Sequence, residues 1–292
     1  MAVTFKVEQI NDQDTLTAFL RSQGVSTMLI RRLKLFLDGI LVDGVAQKTN
    51  YRVKFGQTVT LNVYDRPQEV AQSRVLPQKI PINIVYMDSG CMVVDKPYDM
   101  AIHPSMNYSG GTLANAFCGY WKEKGEEKIY RVLNRLDKNT SGLVMIALDA
   151  YTAEALKNSV EKEYTAIVHG KVEPPQGVIE APIARAEGSI ITRCVSKEGQ
   201  YARTEYSVLQ QNNKFSVLNI KLATGRTHQI RVHFAHIGHP LVGDDLYGGE
   251  TQMIKRQALH CSKMMFTSVE SRKEIVIKSQ LPKDMAEIVM EI

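Results

Sequence analysis

The sequence has few of the features that mark secreted, membrane-spanning or redox-active proteins. Its cysteines are widely spaced and form no CxxC pair, which indicates reduced thiols rather than a disulfide framework; they are Cys91, Cys118, Cys194 and Cys261. Residues 1–12 lack the apolar core of a signal peptide, and no apolar run approaches the length of a membrane span. We therefore expect a cytoplasmic protein that makes no contact with membranes.

The sequence also has only a small excess of positive charge, and this excess is concentrated near the N-terminus. The 292 residues are enough for a main domain and a smaller module, and the 44% apolar and 23% charged residues are typical of globular proteins. Residues 1–64 carry a net charge of +3, against +2 for the rest of the chain. This split is typical of a small phosphate-binding module attached to a nearly neutral body.

Residues 14–64 have the pattern of a compact unit that begins with two helices. Asp14 can cap a first helix that starts at Thr15, and Gly24 would end it. A second helix is expected near residues 27–37, with an apolar side formed by Leu29, Ile30, Leu33 and Phe36. Its other side faces solvent and holds Arg31, Arg32 and Lys34. A charged side of this kind is either a nucleic-acid contact or an ordinary solvated face.

The same unit continues with short strands. Residues 39–44 predict a strand and turn, and residues 58–63 predict a closing strand. Two helices followed by a small strand region with a G-D-x-V type turn, here 56–59, resemble the S4 RNA-binding module. Gln57 takes the place of the acidic residue that is usual in this turn. The resemblance implies an RNA contact by Arg31, Arg32 and Lys34.

The rest of the chain divides into a linker and a larger, strand-rich domain. Residues 65–80 are polar, contain two prolines and show no period, which predicts a linker. Within residues 81–292, strands are expected at 83–86, 92–95, 143–147, 164–169, 204–209 and 215–222, and helices near 112–124, 151–160 and 227–236. Because strands and helices do not alternate strictly, we predict an α+β domain on a mostly antiparallel sheet rather than a doubly wound fold.

The first residues that indicate chemistry surround Asp137. In residues 131–145 an apolar strand ends, a polar loop follows, and a second apolar strand begins after Gly142. Asp137 is therefore expected in a loop at a strand end, where rigid scaffolds commonly present reactive groups. Several nearby side chains could hold its carboxylate ionised: Arg135, Lys138, Thr140 and Ser141. A turn carboxylate that bonds only local backbone is an open alternative.

The sequence of this loop, R-L-D-x-x-T-S-G-L, resembles the catalytic motif of the RluA/RluD type of pseudouridine synthases. It spans residues 135–143, and Asn134 stands where the family has His. Four further segments match in the family's order: 96–105, in which Asp99 replaces the usual Gly, 162–170, 202–206 and 224–244. The resemblance covers essentially all of residues 81–292. Ordered agreement of this kind is far more specific than a single short motif.

The resemblance implies an enzyme that isomerises uridine to pseudouridine in structured RNA, above all large-subunit ribosomal RNA, with transfer RNA as the other substrate. Asp137 would be the essential carboxylate, acting at uracil C6, ribose C1′ or ribose C2′, and Arg231 would hold it charged and oriented. Tyr164 would stack beneath the uracil, and Arg135 would fill the gap left by the flipped uridine. Further substrate contacts are implied for Thr140, Arg226, His228 and Gln229.

The implied reaction breaks the glycosidic bond at uracil N1 and remakes it at C5. It needs neither a redox step nor a metal, so no cofactor is expected. We expect the protein to bind its RNA as a monomer. An alternative of a different class is a catalytically inactive RNA-binding or ribosome-assembly protein. The departures at Asn134 and Asp99 favour that alternative, whereas the intact Asp137, Tyr164 and Arg231 oppose it.

A third class, a metal-dependent hydrolase, is suggested by a group of histidines and a late cysteine: His228, His233, His236, His239, His260 and Cys261. On a helix that starts at residue 227, His233 and His236 share a face on which His228 does not lie. The sequence contains no HExxH motif and no cysteine pair. We therefore predict histidines that bond backbone or RNA, and no metal site.

Overall fold

The computed structural model describes residues 2–8, 15–72, 75–105 and 109–292. Its N-terminal unit contains β1 (Ala2–Lys6), α1 (Leu16–Ser22), α2 (Thr27–Leu33), β2 (Ile40–Val42), β3 (Val45–Ala46) and β4 (Thr58–Asn62). These strands form an antiparallel sheet in the order β1-β4-β2-β3. One face of each helix and alternate strand positions pack into a common core that includes Val3, Phe5, Leu16, Leu20, Ile30, Leu33, Val59 and Leu61.

The ends of the two helices differ from the prediction. The first helix begins at Leu16, because Thr15 is its N-cap and accepts a hydrogen bond from a first-turn N–H. The predicted cap, Asp14, lies outside the described residues. The second helix ends at Leu33 rather than near residue 37, since the chain turns back over its end. A side chain at Gly39 would lie 2.0 Å from the carbonyl oxygen of Leu33.

The predicted solvent side of α2 is exposed only in part. Arg31 and Lys34 are exposed, as expected. Arg32 instead donates through Nε and Nη2 to both carboxylate oxygens of Glu69, at 2.6 and 2.5 Å, and 22% of its side chain is exposed. The prediction that Arg32 faces solvent was wrong. Its partner lies 37 residues further along the chain, in a segment with no sequence pattern that indicates pairing.

The segment predicted as a linker contains a helix, α3 (Pro67–Gln72), which carries Glu69. Six residues are too few to show a helical period, so no sequence pattern indicated this helix. Asp65, at the start of the segment, accepts hydrogen bonds of 2.5 and 3.0 Å from Arg131 of the larger domain. Phe5 packs edge-on against Tyr151, with 6.0 Å between ring centroids. The N-terminal unit is therefore docked on the larger domain, and the division into domains stays a prediction.

The larger domain is built on a mostly antiparallel sheet, which confirms the predicted α+β class. Its strands are β5 (Asn83–Met87), β6 (Cys91–Lys96), β7 (Arg131–Val132), β8 (Ser141–Ala147), β9 (Glu161–His169), β10 (Gln176–Glu180), β13 (Arg203–Gln211), β14 (Phe215–Leu222), β15 (Leu259–Thr267) and β16 (Glu274–Lys278). The sheet order is β10-β13-β14-β9-β15-β8-β6-β5, and β16 pairs with β15 and β7 with β8. A separate hairpin consists of β11 (Ile183–Arg185) and β12 (Arg193–Val195).

Four helices accompany the sheet: α4 (Leu113–Glu123), α5 (Ala150–Leu156), α6 (Gln229–His236) and α7 (Lys283–Met290). The first three lie where helical spacing predicted them. A short 3₁₀ turn at Asp245–Tyr247 follows α6. None of the helices in the described ranges has the length and apolar character needed to span a membrane.

The strand after the Asp137 loop is buried over its whole length, because β8 lies between β6 and β15. Unlike the other strand pairs of the described residues, β8 and β15 run parallel, with Ser141 opposite His260 and Gly142 opposite Cys261. A Cβ on Gly142 would lie 2.4 Å from the carbonyl oxygen of Cys261, and its φ is 110°. Glycine is therefore required where β8 and β15 pair, and this pairing fixes the end of the loop.

Candidate active site

Both residues that depart from the family pattern, Asn134 within the loop between β7 and β8 and Asp99 after β6, make contacts that support this loop. Asn134 bridges to β8: its Nδ2 donates to the carbonyl oxygen of Leu143 at 3.1 Å, and its Oδ1 accepts from the N–H of Met145 at 2.8 Å. Asp99 has a φ of 59°, the left-handed region for which glycine is the usual choice, and its carboxylate pairs with Lys138 at 2.8 Å. Neither substitution leaves the loop unsupported.

A buried lysine binds backbone groups of the loop between β7 and β8 and of the segment after β6. Lys96 is 1% exposed, and its Nζ donates to the carbonyl oxygens of Pro97, Met100 and Lys138 at 2.8, 2.9 and 3.2 Å. These acceptors match the three donors of an ammonium group, although burial lowers the pKa of Lys96 to about 7. Because Lys138 follows Asp137 directly, this contact fixes the backbone at the candidate reactive residue.

The carboxylate of Asp137 is held by side chains from a distant segment. Nη1 of Arg231 donates to its Oδ2 at 3.2 Å, and Nε2 of His228 lies 3.8 Å from the same oxygen. The ion pair predicted between Asp137 and Arg231 is therefore present. With 21% of the Asp137 side chain exposed, its carboxylate remains accessible to a bound molecule.

The donors expected from the loop itself are directed elsewhere. The hydroxyl of Thr140 accepts from the amide of Gln257 at 3.1 Å, and the hydroxyl of Ser141 bonds to His260 at 2.9 Å. Both side chains are buried. Among the described residues, neither hydroxyl has a hydrogen bond to the Asp137 carboxylate, so the predicted support of that carboxylate by Thr140 and Ser141 is not seen.

Arg231 makes its strongest contact with a carboxylate to which the sequence assigned no role. Its Nε and Nη2 donate to the two carboxylate oxygens of Asp244, each at 2.7 Å. The side chains of Arg231 and Asp244 are 7% and 0% exposed. Burial acts to lower the pKa of Arg231, but the hydrogen bonds and charge of Asp244, together with Asp137, raise it overall. The guanidinium is therefore fixed, charged and aimed at Asp137 through its remaining nitrogen.

A cavity beside Asp137 brings together most of the residues named by the resemblance. Its lining includes Arg135, Asp137, Thr140, Tyr164, Arg226, His228, Gln229 and Arg231, with apolar walls from Leu222, Ile230 and Leu259. Tyr164 lies on β9 and is 6% exposed, and burial raises its pKa far above the usual range. The exposed Arg135 also lines a second cavity, together with Asp137 and His228.

The residues at the start of α6 are held by other protein groups. His228 is the N-cap of α6 with a φ of 58°, and its Nδ1 lies 2.8 Å from the hydroxyl of Tyr247. Gln229 is 2% exposed, and its amide bonds to Thr224, to the N–H of Arg226, and to the backbone and side chain of the start of β13. Its amide thus has four protein partners, which fits a positioning role better than the predicted substrate contact.

Two of the histidines that suggested a metal-dependent hydrolase are bound to protein groups in separate places. His233 bonds to Thr204 and to the carbonyl oxygen of Ala181, and His239 bonds to the carbonyl oxygen of His169. Within the described ranges, no three His, Cys, Asp or Glu side chains are grouped as metal ligands would be.

The fold is that of pseudouridylate synthases. The structure superposes on that of Human RNA Pseudouridylate Synthase Domain Containing 4 with a TM-score of 0.58, at 22% identity, over 76% of this chain and 96% of that chain. Residues 90–236 match the family model described as RNA pseudouridylate synthase.

Full-length relatives agree with this assignment. An uncharacterized RNA pseudouridine synthase of Bacillus subtilis (strain 168), YjbO, is 33% identical over 281 residues, which cover 94% of this chain and 98% of that protein. Ribosomal large subunit pseudouridine synthase D of Escherichia coli (strain K12) is 32% identical over 270 residues, which cover 86% of this chain and 81% of that protein. The chain belongs to the RNA pseudouridylate synthase family, of the RluA/RluD type. It is an RNA pseudouridine synthase, as predicted.

Proposed function

We propose that this enzyme modifies uridines in large-subunit ribosomal RNA, with Asp137 as its essential carboxylate. The observation that carries the proposal is the Asp137 carboxylate at the cavity edge, with Arg231 at 3.2 Å and the buried Tyr164 in the wall of the same cavity. The name of the Escherichia coli relative, a ribosomal large subunit pseudouridine synthase, supports the choice of RNA.

The chemistry requires one ionised carboxylate next to the nucleoside. In the net reaction the C1′–N1 bond breaks, a C1′–C5 bond forms, C5 loses its proton and N1 gains one. The two hydrogen bonds from Arg231 to Asp244 hold the positively charged guanidinium in place, with its remaining nitrogen beside the Asp137 carboxylate. Tyr164 supplies a flat aromatic surface on which any uracil can stack.

The target uridine must leave its helix to reach this cavity. An enzyme that acts on a stacked base first extrudes it, which costs a few kcal/mol of stacking and pairing energy. Arg135 is exposed and lies in the same loop as Asp137, so its side chain can occupy the gap left by the extruded base. The N-terminal unit, with exposed Arg31 and Lys34, would add phosphate contacts like those of an S4 module.

The test is to map pseudouridine across all RNA of cells that lack the gene, and of the same cells carrying wild-type or Asp137→Asn protein. We expect one or a few ribosomal sites to disappear, to return with the wild type, and to stay absent with the variant. Sites lost from transfer RNA instead would overturn the choice of substrate. Restoration by Asp137→Asn would overturn the role of the carboxylate.

A further inference from the structure

Tyr247 links three parts of the active site. It ends the 3₁₀ turn that begins directly after Asp244. Its hydroxyl lies 2.9 Å from the backbone N–H of Arg193 and 2.8 Å from Nδ1 of His228. Its ring lies 5.0 Å from the guanidinium carbon of Arg231 and packs edge-on against the imidazole of His228, with 5.7 Å between ring centroids.

The positions of the protons follow from these contacts. A backbone N–H can only donate, so the hydroxyl oxygen of Tyr247 accepts from Arg193. The hydroxyl can then donate its own proton to Nδ1 of His228 when that nitrogen is unprotonated. A neutral imidazole carries its proton on one nitrogen, so in this arrangement the proton lies on Nε2. That nitrogen faces Oδ2 of Asp137 at 3.8 Å.

We propose that Tyr247 is a positioning residue that holds His228 in its Nε2–H tautomer and so directs a hydrogen-bond donor into the space beside Asp137. The inference rests on the proposed function of this cavity. The 3.8 Å separation is too long for a direct hydrogen bond, which leaves the Nε2–H available to a substrate atom. When the glycosidic bond breaks, its electron pair passes to the uracil, and this donor stabilises the negative charge without transferring a proton.

The surroundings keep the imidazole neutral. Burial lowers the pKa of His228, and this outweighs the opposite effect of Asp137. Arg231 and Arg193 also act to lower it, whereas Asp244 acts to raise it. A protonated imidazole would present Nδ1–H to the Tyr247 hydroxyl, and the hydroxyl could then no longer donate to that nitrogen.

The same contact connects the hairpin of β11 and β12 to the reactive groups. Arg193 begins β12, and Ile191, two residues earlier, lines the cavity that also contains Asp137 and His228. The Tyr247 hydroxyl therefore connects the hairpin that forms one wall of this cavity to His228, the proposed hydrogen-bond donor inside it. Tyr247→Phe is the matching variant, because it keeps the ring against Arg231 and His228 and removes only the hydroxyl.

The test combines histidine ¹⁵N NMR of the full-length protein with single-turnover kinetics at saturating RNA. In the wild type we expect the His228 signals of an Nε2–H tautomer, assigned by their loss in His228→Gln. In Tyr247→Phe we expect a mixture of tautomers and a rate about tenfold lower, the effect of one hydrogen bond, with RNA affinity unchanged.

In the His228→Gln background, Tyr247→Phe should have no further effect on the rate. Tyr86→Phe, which removes a hydroxyl bonded to Asp88 away from the cavity, is the control and should match the wild type.

Several results would overturn the proposal: an Nδ1–H tautomer in the wild type, an unchanged tautomer and rate in Tyr247→Phe, or additive losses in the double variant. The NMR arm does not depend on catalysis. A wild type that forms no pseudouridine but shows the Nε2–H tautomer would therefore refute the proposed substrate or chemistry and leave the role of Tyr247 in setting the tautomer standing.

Discussion

Two of the three guanidinium nitrogens of Arg231 donate hydrogen bonds to Asp244, and the third donates to Asp137. The fork to Asp244 has two bonds of 2.7 Å, whereas the single bond to Asp137 measures 3.2 Å. The paired geometry usual between arginine and a carboxylate is thus directed at the buried partner. The accessible carboxylate receives one weaker bond, and this leaves it free to react.

Asp244→Asn should damage both stability and catalysis. The variant removes half of a buried ion pair, for which a loss of about 3 kcal/mol in the free energy of unfolding is expected. An asparagine accepts one bond where the carboxylate accepts two, so the Arg231 guanidinium can rotate, and a displacement of about 1 Å at a reactive group costs on the order of a hundredfold in rate. Urea unfolding and single-turnover kinetics at saturating RNA measure the two effects. The neighbouring Asp245→Asn is the control, because Asp245 is exposed. Full activity in Asp244→Asn would show that Arg231 does not need the fork.

Arg231→Lys should lose far more activity than RNA affinity, although the charge is conserved. A single ammonium nitrogen cannot reach both oxygens of Asp244 and also Oδ2 of Asp137, as the planar guanidinium does. We expect the single-turnover rate to fall about a hundredfold, with the dissociation constant for RNA within about twofold of the wild type. Equal rates for lysine and arginine would show that catalysis needs the charge at this position but not the shape of the guanidinium.

The sequence predicts the position of the reactive loop but not the residues that hold its partners in place. Asp137, Tyr164 and Arg231 could be predicted because each lies in a short segment whose residue types match the family. Asp244 ends the last of those segments, yet nothing in a linear pattern shows that a carboxylate thirteen residues away takes two of the three guanidinium nitrogens of Arg231. The same holds for Tyr247, whose role depends on a contact with Arg193 across 54 residues.

The fold was predictable where side chains repeat with a clear period and not elsewhere. Strand β14 matches its predicted range, because its apolar residues mark it from end to end. Strands β1, β15 and β16 and helix α7 were not predicted. In β15 two adjacent methionines and the buried polar His260 interrupt the alternation, since this strand lies inside the sheet and pairs with β8 in parallel. Burial on both faces removes the polar-apolar period on which strand prediction depends.

The N-terminal unit offers a test that separates RNA contacts from structural charges. Replacing the exposed Arg31 and Lys34 by Gln should flatten the plot of log affinity against log salt by roughly 0.7 to 0.9 for each phosphate that the variant no longer neutralises. Arg32→Gln should leave that slope unchanged, because the guanidinium already binds Glu69, and should lower stability by about 1 kcal/mol. These variants are preferable to deletion of residues 1–64, which would uncover Tyr151. A slope that changes only in Arg32→Gln would contradict the structural assignment.

The pH dependence of stability should report on His260, which lies behind the reactive loop. Its Nδ1 bonds to Ser141 at 2.9 Å and its Nε2 to Ser279 at 3.0 Å, and Ser279 in turn donates to Asp95 at 2.7 Å. Because Ser279 donates its proton to Asp95, it accepts from Nε2–H, and Nδ1 of the neutral ring accepts from Ser141. Burial lowers the pKa of His260 from 6.5 to about 4.

The direction of the pH dependence follows from the pKa of His260 in the unfolded chain and in the folded protein. Below pH 6.5 the unfolded chain binds a proton that the folded protein does not take up until about pH 4, so the stability present above pH 6.5 is lost as the pH falls. Between pH 7 and pH 5 this one group should cost about 2 kcal/mol of the free energy of unfolding. His260→Gln removes the titrating group, so its stability should fall less over the same range, even if it is lower at pH 7. Urea unfolding of both proteins at several pH values gives the difference directly. Parallel curves would show that His260 titrates alike in the folded and unfolded chain, and therefore that the chain of bonds from Ser141 to Asp95 does not hold it neutral.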